Sequence, residues 1–193
     1  MAAWQRLALR MEQDFAPYLP QIIPPLLNQS ALKPSVGVTG EEGDILSFLS
    51  EVRVGPEGNT IGIKSDELED KNVAIQMLTV IIEEMKDSYA PYIHQTSELF
   101  VSMINYSASE DIRNSVANSL PVMLECLIWT HPKDRESHIK FALAYMKSLF
   151  QAMTDEKQTD TMIYQILATK DIINLMETFM DEETVNQMCM KLL

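Results

Sequence analysis

The sequence predicts an all-α fold, a HEAT-repeat α-solenoid of stacked helical hairpins, from two internal repeats and one compositional bias. Asp111–Glu125 (DIRNSVANSLPVMLE) lies over Glu69–Glu83 (EDKNVAIQMLTVIIE) at an offset of 42 residues. Lys71 then falls on Arg113, Asn72 on Asn114, Leu78 on Leu120, Val80 on Val122 and Glu83 on Glu125. Both copies space their apolar residues for a helix: Ala74, Ile75, Leu78, Ile81, Ile82 and Met85, against Ile112, Val116, Leu120, Met123, Leu124 and Leu127. Each helix therefore carries one buried stripe. Independently, Phe15-Ala-Pro-Tyr18-Leu-Pro-Gln21 returns 74 residues later as Tyr89-Ala-Pro-Tyr92-Ile-His-Gln95. The bias is 13 Met against 6 Gly, which favours adaptable helix packing over strands. Two helices per unit at a period near 40 is the HEAT pattern, and 193 residues hold about three and a half to four units in a right-handed stack.

In chain order, residues 3–13 read as the tail of an inner helix, because at the offset of 74 Trp4, Leu7, Ala8 and Met11 fall on Leu78, Ile81, Ile82 and Met85. Residues 15–30 read as an outer helix, kinked by Pro17, Pro20, Pro24 and Pro25. Residues 31–64 form a long insertion, where a hairpin connection needs only a few residues. It holds the acidic turn Gly40-Glu-Glu-Gly-Asp44 and a hairpin pattern, Glu51–Val54 and Thr60–Lys64 about Gly55-Pro-Glu-Gly-Asn59. No strand is expected outside that hairpin. Inner helices follow at about 66–87 and 110–128, with outer helices at 89–106 and 135–153. Asp155 and Thr159 offer caps for an inner helix to about Met180, and Asp181 restarts a last helix. The whole of 1–193 reads as one solenoid segment, opening and closing inside helices. Trp4, Leu7 and Met11 at one end and Val185, Met188 and Leu192 at the other should expose apolar surface and favour self-association of the isolated segment.

A net charge of −13 argues against binding nucleic-acid phosphates and favours basic partners. No run approaches the ~20 apolar residues that span a bilayer. Cys126 and Cys189 sit among apolar residues, as reduced core thiols do. Catalysis finds no footing. His94, His131 and His138 are joined by no cluster of Cys or carboxylates that would complete a metal site, and no phosphate loop or nucleophile elbow appears. Asp111 and Glu125 lie almost four turns apart, too far for paired acid–base work. A protein that is not an enzyme and needs no cofactor is the expectation.

Opposite the buried stripe, Asn72, Gln76 and Glu83 stand at positions equivalent to Asn114, Asn118 and Glu125. They stack into a polar, acidic ladder. Carboxamides can bond an extended peptide's main chain and carboxylates can pair its Lys or Arg side chains; the wet face of any helix carries a similar pattern. On outer helices, Tyr92, Phe100, Tyr145 and Phe150 are candidate rims for small apolar pockets, or core residues.

Several segments resemble one known family: Ala3-Trp4-Gln5-Arg6-Leu7 leading into Phe15–Leu27, Ile61–Lys64, Leu68–Lys71, Gln76–Leu78, Asp111–Arg113 and Ser119–Cys126. They resemble the importin-β (karyopherin-β) superfamily, and within it the importin-β3 type of nuclear import receptor. The likeness runs from residue 3 to about 127 and thins afterwards. Such receptors are far longer, so the resemblance implies an interior segment from the C-terminal half. It implies binding of basic cargo signals, of the Ran GTPase and of Phe-Gly nucleoporins, in the cytoplasm, the nucleus and the nuclear pore. Asp111 and Arg113 match the HEAT pair that ties successive inner helices together, and Glu69 and Lys71 hold the same places one repeat earlier. Lys157 aligns with them only after a two-residue shift. A static HEAT scaffold for complex assembly is the alternative reading, since the period is common to both.

Overall fold

The computed structural model describes residues 3–33, 36–39, 49–54 and 60–179. The helices are α1 (Ala3–Met11), α2 (Leu19–Ala31), α3 (Ser65–Met85), α4 (Ile93–Met103), α5 (Glu110–Thr130), α6 (Arg135–Asp155) and α7 (Thr159–Met176). Helix α3 packs between α1 and α5, and α5 between α3 and α7. Helices α2, α4 and α6 form the other layer, each packed against the odd-numbered helix that follows it. This is the expected all-α solenoid. The apolar stripes named above are its core: Ile75, Leu78, Ile81, Ile82 and Met85 on α3 and Ile112, Val116, Leu120, Met123 and Leu124 on α5 are fully buried.

The second repeat has a structural meaning that a plain helix assignment misses. Glu12–Tyr18 and Lys86–Tyr92 are 3-10 helices, each with a proline inside. Each begins on a residue with left-handed backbone, Glu12 at φ 47° and Lys86 at φ 35°. A side chain there costs roughly 1–2 kcal/mol. The compensation is burial: Phe15 and Tyr89, the aromatics that open the two motifs, are fully enclosed. The expected helices at 15–30 and 89–106 are thus each a 3-10 turn followed by a shorter α-helix, because Pro17 and Pro91 supply no N–H for an α-turn. Pro121, by contrast, is buried inside α5 without ending it.

The insertion departs from expectation. Leu49–Val54 (β2) pairs antiparallel with Thr60–Lys64 (β3), as the hairpin pattern required. Val36–Thr39 (β1) adds a third strand on the other edge of β3, in the order β1-β3-β2. The restriction of strands to 51–64 was therefore too narrow: Val36-Gly-Val-Thr39 is only four residues long, and its partner lies more than 20 residues away. The acidic turn at 40–44 lies outside the described residues, as do Asp181 and the apolar residues Val185, Met188 and Leu192. At the other end Trp4 and Leu7 are exposed and Met11 is half-buried.

Capping differs from expectation at α7. Asp155 is the last residue of α6 and Thr159 the first of α7, and neither caps the helix. Among the described residues no side chain caps α7; Glu156 instead orders the turn before it, its Oε1 accepting from the N–H groups of Lys157 and Gln158 at 3.0 Å each. Ser109 caps α5 and Asp134 caps α6, accepting from Ile112 N–H at 3.3 Å and Ser137 N–H at 3.2 Å.

The core holds titratable groups that set its alkaline limit. Tyr89 and Tyr145 are enclosed, sharing hydrogen bonds with Thr96 (2.7 Å) and Ser97 (2.5 Å). Burial pushes both phenols above their ordinary 10.0 and lifts the Cys126 thiol from 9.0 to about 11. A group whose folded pKa is raised contributes stability that is complete below its unfolded pKa and is lost as pH rises through the folded value. Stability should therefore fall from about pH 9 upward, first through Cys126 and then through the tyrosines. Lys71, lowered from 10.5 by burial, works with the opposite sign in the window below that value. Cys126→Ala isolates the thiol. Urea unfolding at a series of pH values should show a flatter decline between pH 9 and 11 in the variant, and an identical decline would assign the loss elsewhere.

Candidate peptide-binding face

Lys71 and Arg113, one repeat apart, hold the ends of the preceding outer helices. Buried Lys71 donates from Nζ to the Ser30 carbonyl and, at 3.0 Å, to the Leu32 carbonyl at the end of α2. Its ammonium also lies 5.0 Å from the centre of the Tyr106 ring. Arg113 donates to the Tyr106 carbonyl just beyond α4 at 2.9 Å. The Ser30 and Leu32 carbonyls are among those a helix leaves unpaired at its C-terminus. Arg113 also grips Glu156 with two bonds, Nε to Oε2 at 2.9 Å and Nη2 to Oε1 at 3.2 Å. Burial works against the Glu156 charge, but hydrogen bonds from Gln158 N–H, Arg113 and Lys157 N–H outweigh it and hold the carboxyl below its ordinary range. Glu69 and Asp111 are exposed, and the carboxylate on Arg113 comes from Glu156, which had not been singled out. Lys157 is exposed and precedes the start of α7.

Four of the six ladder residues line two grooves, and Asn114 and Glu83 line neither. Asn72 and Gln76, both half-buried, line a groove of about 750 Å³ with Glu69, Glu110, Asp111 and Arg113. Across the α3–α5 seam Ser115 donates to Asn72 Oδ1 at 2.7 Å and Gln76 Nε2 donates to Ser115 Oγ at 3.4 Å. One turn further on, Thr79 and Ser119 share a bond of 2.6 Å. Asn118 and Glu125, both exposed, line a second groove of about 350 Å³ between α5 and α7, completed by Asp171 and Asn174. Asn114 is half-buried, and its Oδ1 has no hydrogen-bond partner among the described residues. Glu83 is exposed near Glu125. Partial burial, then the neighbouring Glu84 and Glu125, raise its pKa.

Ser115, Ser119 and Thr79 were missed because small hydroxyl residues inside an apolar stripe carry no local signal. Asp171 and Asn174 were missed because α7 breaks the 42-residue register. Of the aromatic candidates, Phe100 and Tyr145 are buried in the core, Tyr92 is half-buried and Phe150 is exposed. Each histidine has a neighbour of its own: His94 meets the Phe141 ring, His138 the Phe179 ring, and His131 the Thr130 hydroxyl. Among the described residues no group of three His, Cys, Asp or Glu is placed to hold a metal ion, and no helix is long and apolar enough to cross a membrane. Chemically, the two grooves offer carboxylates, carboxamides and the already paired Arg113, the complement of an extended basic chain.

No protein-family profile matches the chain. Importin subunit beta-3 of Saccharomyces cerevisiae is 25% identical over 166 residues, 84% of this chain and 15% of that protein. The likeness is to the importin-β superfamily, and within it to the importin-β3 type. A probable importin-5 homolog of Dictyostelium discoideum is 25% identical over 125 residues, 65% of this chain and 11% of that protein. The chain thus spans less than a sixth of either relative's length. The crystal structure of the karyopherin Kap121p matches with a TM-score of 0.78 at 21% identity, covering 97% of this chain and 18% of that one. Kap121p bound to Nup53p matches at 0.77, with the same identity and coverage. These structures bear on the fold: a helical karyopherin solenoid.

Proposed function

We propose that this chain is a segment of a nuclear transport receptor of the importin-β3 type, and that its α3–α5–α7 face takes extended, basic segments of protein partners. The observation that carries the reading is the pair of polar grooves on successive helix seams, lined by Glu69, Asn72, Gln76 and Asp111 and by Asn118, Glu125, Asp171 and Asn174. The likeness to an importin supports it, as does a net charge of −13. Exchange between cytoplasm and nucleus through the pore, with Ran and Phe-Gly nucleoporins as further partners of the whole receptor, belongs to the same proposal.

Exposed ion pairs are worth only about 0–1 kcal/mol each, so carboxylates alone would bind weakly. Main-chain hydrogen bonds to the carboxamides add roughly 0.5–1.5 kcal/mol each. Asn72→Ala with Asn114→Ala should therefore weaken a Lys/Arg-rich extended peptide by about 1–3 kcal/mol, whatever its sequence. Glu83→Gln with Glu125→Gln should instead flatten the dependence of affinity on salt. Titration of the four-site variant decides: unchanged affinity with an unchanged salt slope would reduce the ladder to a solvated helix face. Binding of GTP-loaded but not GDP-loaded Ran by the full-length protein separates a transport receptor from a static scaffold.

A further inference from the structure

Glu125 and Trp129 stand four residues apart on α5 and so share one face of the helix. Trp129 is 61% exposed, so its indole is open to solvent and to a partner. Above it lies an ammonium group: Lys86 Nζ is 4.8 Å from the ring centre and 3.9 Å from Glu125 Oε1. Lys86 itself has the left-handed backbone, at φ 35°, and directly follows the end of α3. The matching position 74 residues upstream, Glu12, has the same backbone and an acidic side chain, so the turn itself does not call for a lysine.

We propose that Trp129 and Glu125 form a seat for a lysine or arginine side chain of a bound peptide, and that Lys86 is its built-in occupant. The inference rests on the basic-peptide reading above and names one subsite of it. An aromatic face with flanking carboxylates is the arrangement that holds an alkylammonium or guanidinium cation. Here the structure shows it holding one. The occupant is loosely held, since 3.9 Å is beyond hydrogen-bond reach and the Lys86 side chain is itself 37% exposed. The surrounding field remains negative with Lys86 in place: Glu83, Glu84, Asp87 and Glu125 all act on this corner of the chain. Glu125 also lines the groove that holds Asn118, so a peptide lying along that groove brings a basic side chain to the indole. A basic peptide must displace Lys86 to dock, which makes the lysine a brake on affinity and a filter against weakly basic sequences.

The test is a two-by-two cycle in the whole 193-residue chain, with acetyl-(Gly-Lys)-repeat-amide as probe and its norleucine analogue as neutral control. Lys86→Ala should tighten the lysine peptide about three- to tenfold and leave the norleucine peptide unchanged. In a Trp129→Ala background the same change should give less than about a twofold gain. A gain that persists without the indole would be general charge attraction and would overturn the seat, as would no gain at all. Wild-type binding that is lost in the four-site ladder variant while Lys86→Ala stays neutral would sink the seat and leave the peptide-binding face standing. Binding by Lys86→Ala with none by wild type would support the seat, with Lys86 as a complete block rather than a partial brake. No binding by any variant would sink both. Circular dichroism of each variant excludes unfolding as the cause of a loss.

Discussion

Arg113→Met should destabilise the chain by about 3–5 kcal/mol, the range for breaking a buried ion pair from one side. Arg113 and Glu156 retain only 13% and 6% side-chain exposure. Removing the guanidinium breaks two bonds to the carboxylate and a third to the Tyr106 carbonyl. Glu156 keeps its bonds from the N–H groups of Lys157 and Gln158 but loses the cation that balances it. Adding Glu156→Gln should restore part of the loss, because the uncompensated charge goes with it. Urea unfolding at neutral pH measures both variants. A loss under about 1 kcal/mol in the single variant would place the pair with ordinary surface ion pairs.

Phe100→Ala should cost about 3–5 kcal/mol, the range for emptying a buried phenylalanine site. Phe100 is fully enclosed on α4, and that helix packs on α5, which also contacts α3, α6 and α7. The cavity therefore opens where several helices meet and cannot easily close by moving one of them. Phe150→Ala, at a site 39% exposed, is the comparison and should stay within about 0.5 kcal/mol of wild type. Equal losses would mean that burial is not what distinguishes the two rings.

Much of the stack was legible because a solenoid writes itself twice. The pairing of Lys71 with Arg113 and of Phe15 with Tyr89 located equivalent residues before any contact was seen, and those residues take up equivalent places. What stayed hidden depends on partners distant in sequence. Nothing near Glu156 shows that it will order the turn before α7 and clamp a residue 43 positions away. Strand β1 waits on β3 for its hydrogen bonds, and Trp129 looks like a core residue until its exposure is known. Helix α7 is the clearest case: Thr161 and Gln165 are fully buried where an apolar stripe would be expected, and their polar side-chain atoms have no hydrogen-bond partner among the described residues. Ile163, Ile166, Leu167 and Ile173 are exposed instead. Periodicity locates a helix but cannot say which of two apolar-looking faces turns inward.

Strand β3 ends at Lys64 and α3 begins at Ser65, with no residue between them. The two elements share one unbroken run of main chain, so the sheet is joined to α3 as a handle is joined to a shaft. Both β2 and β3 also touch α3. Any ligand that tilts the three strands delivers its torque to the first turns of α3, where Leu68, Glu69 and Asn72 line the larger groove. The insertion thereby has a mechanical route to the width of that groove without entering it.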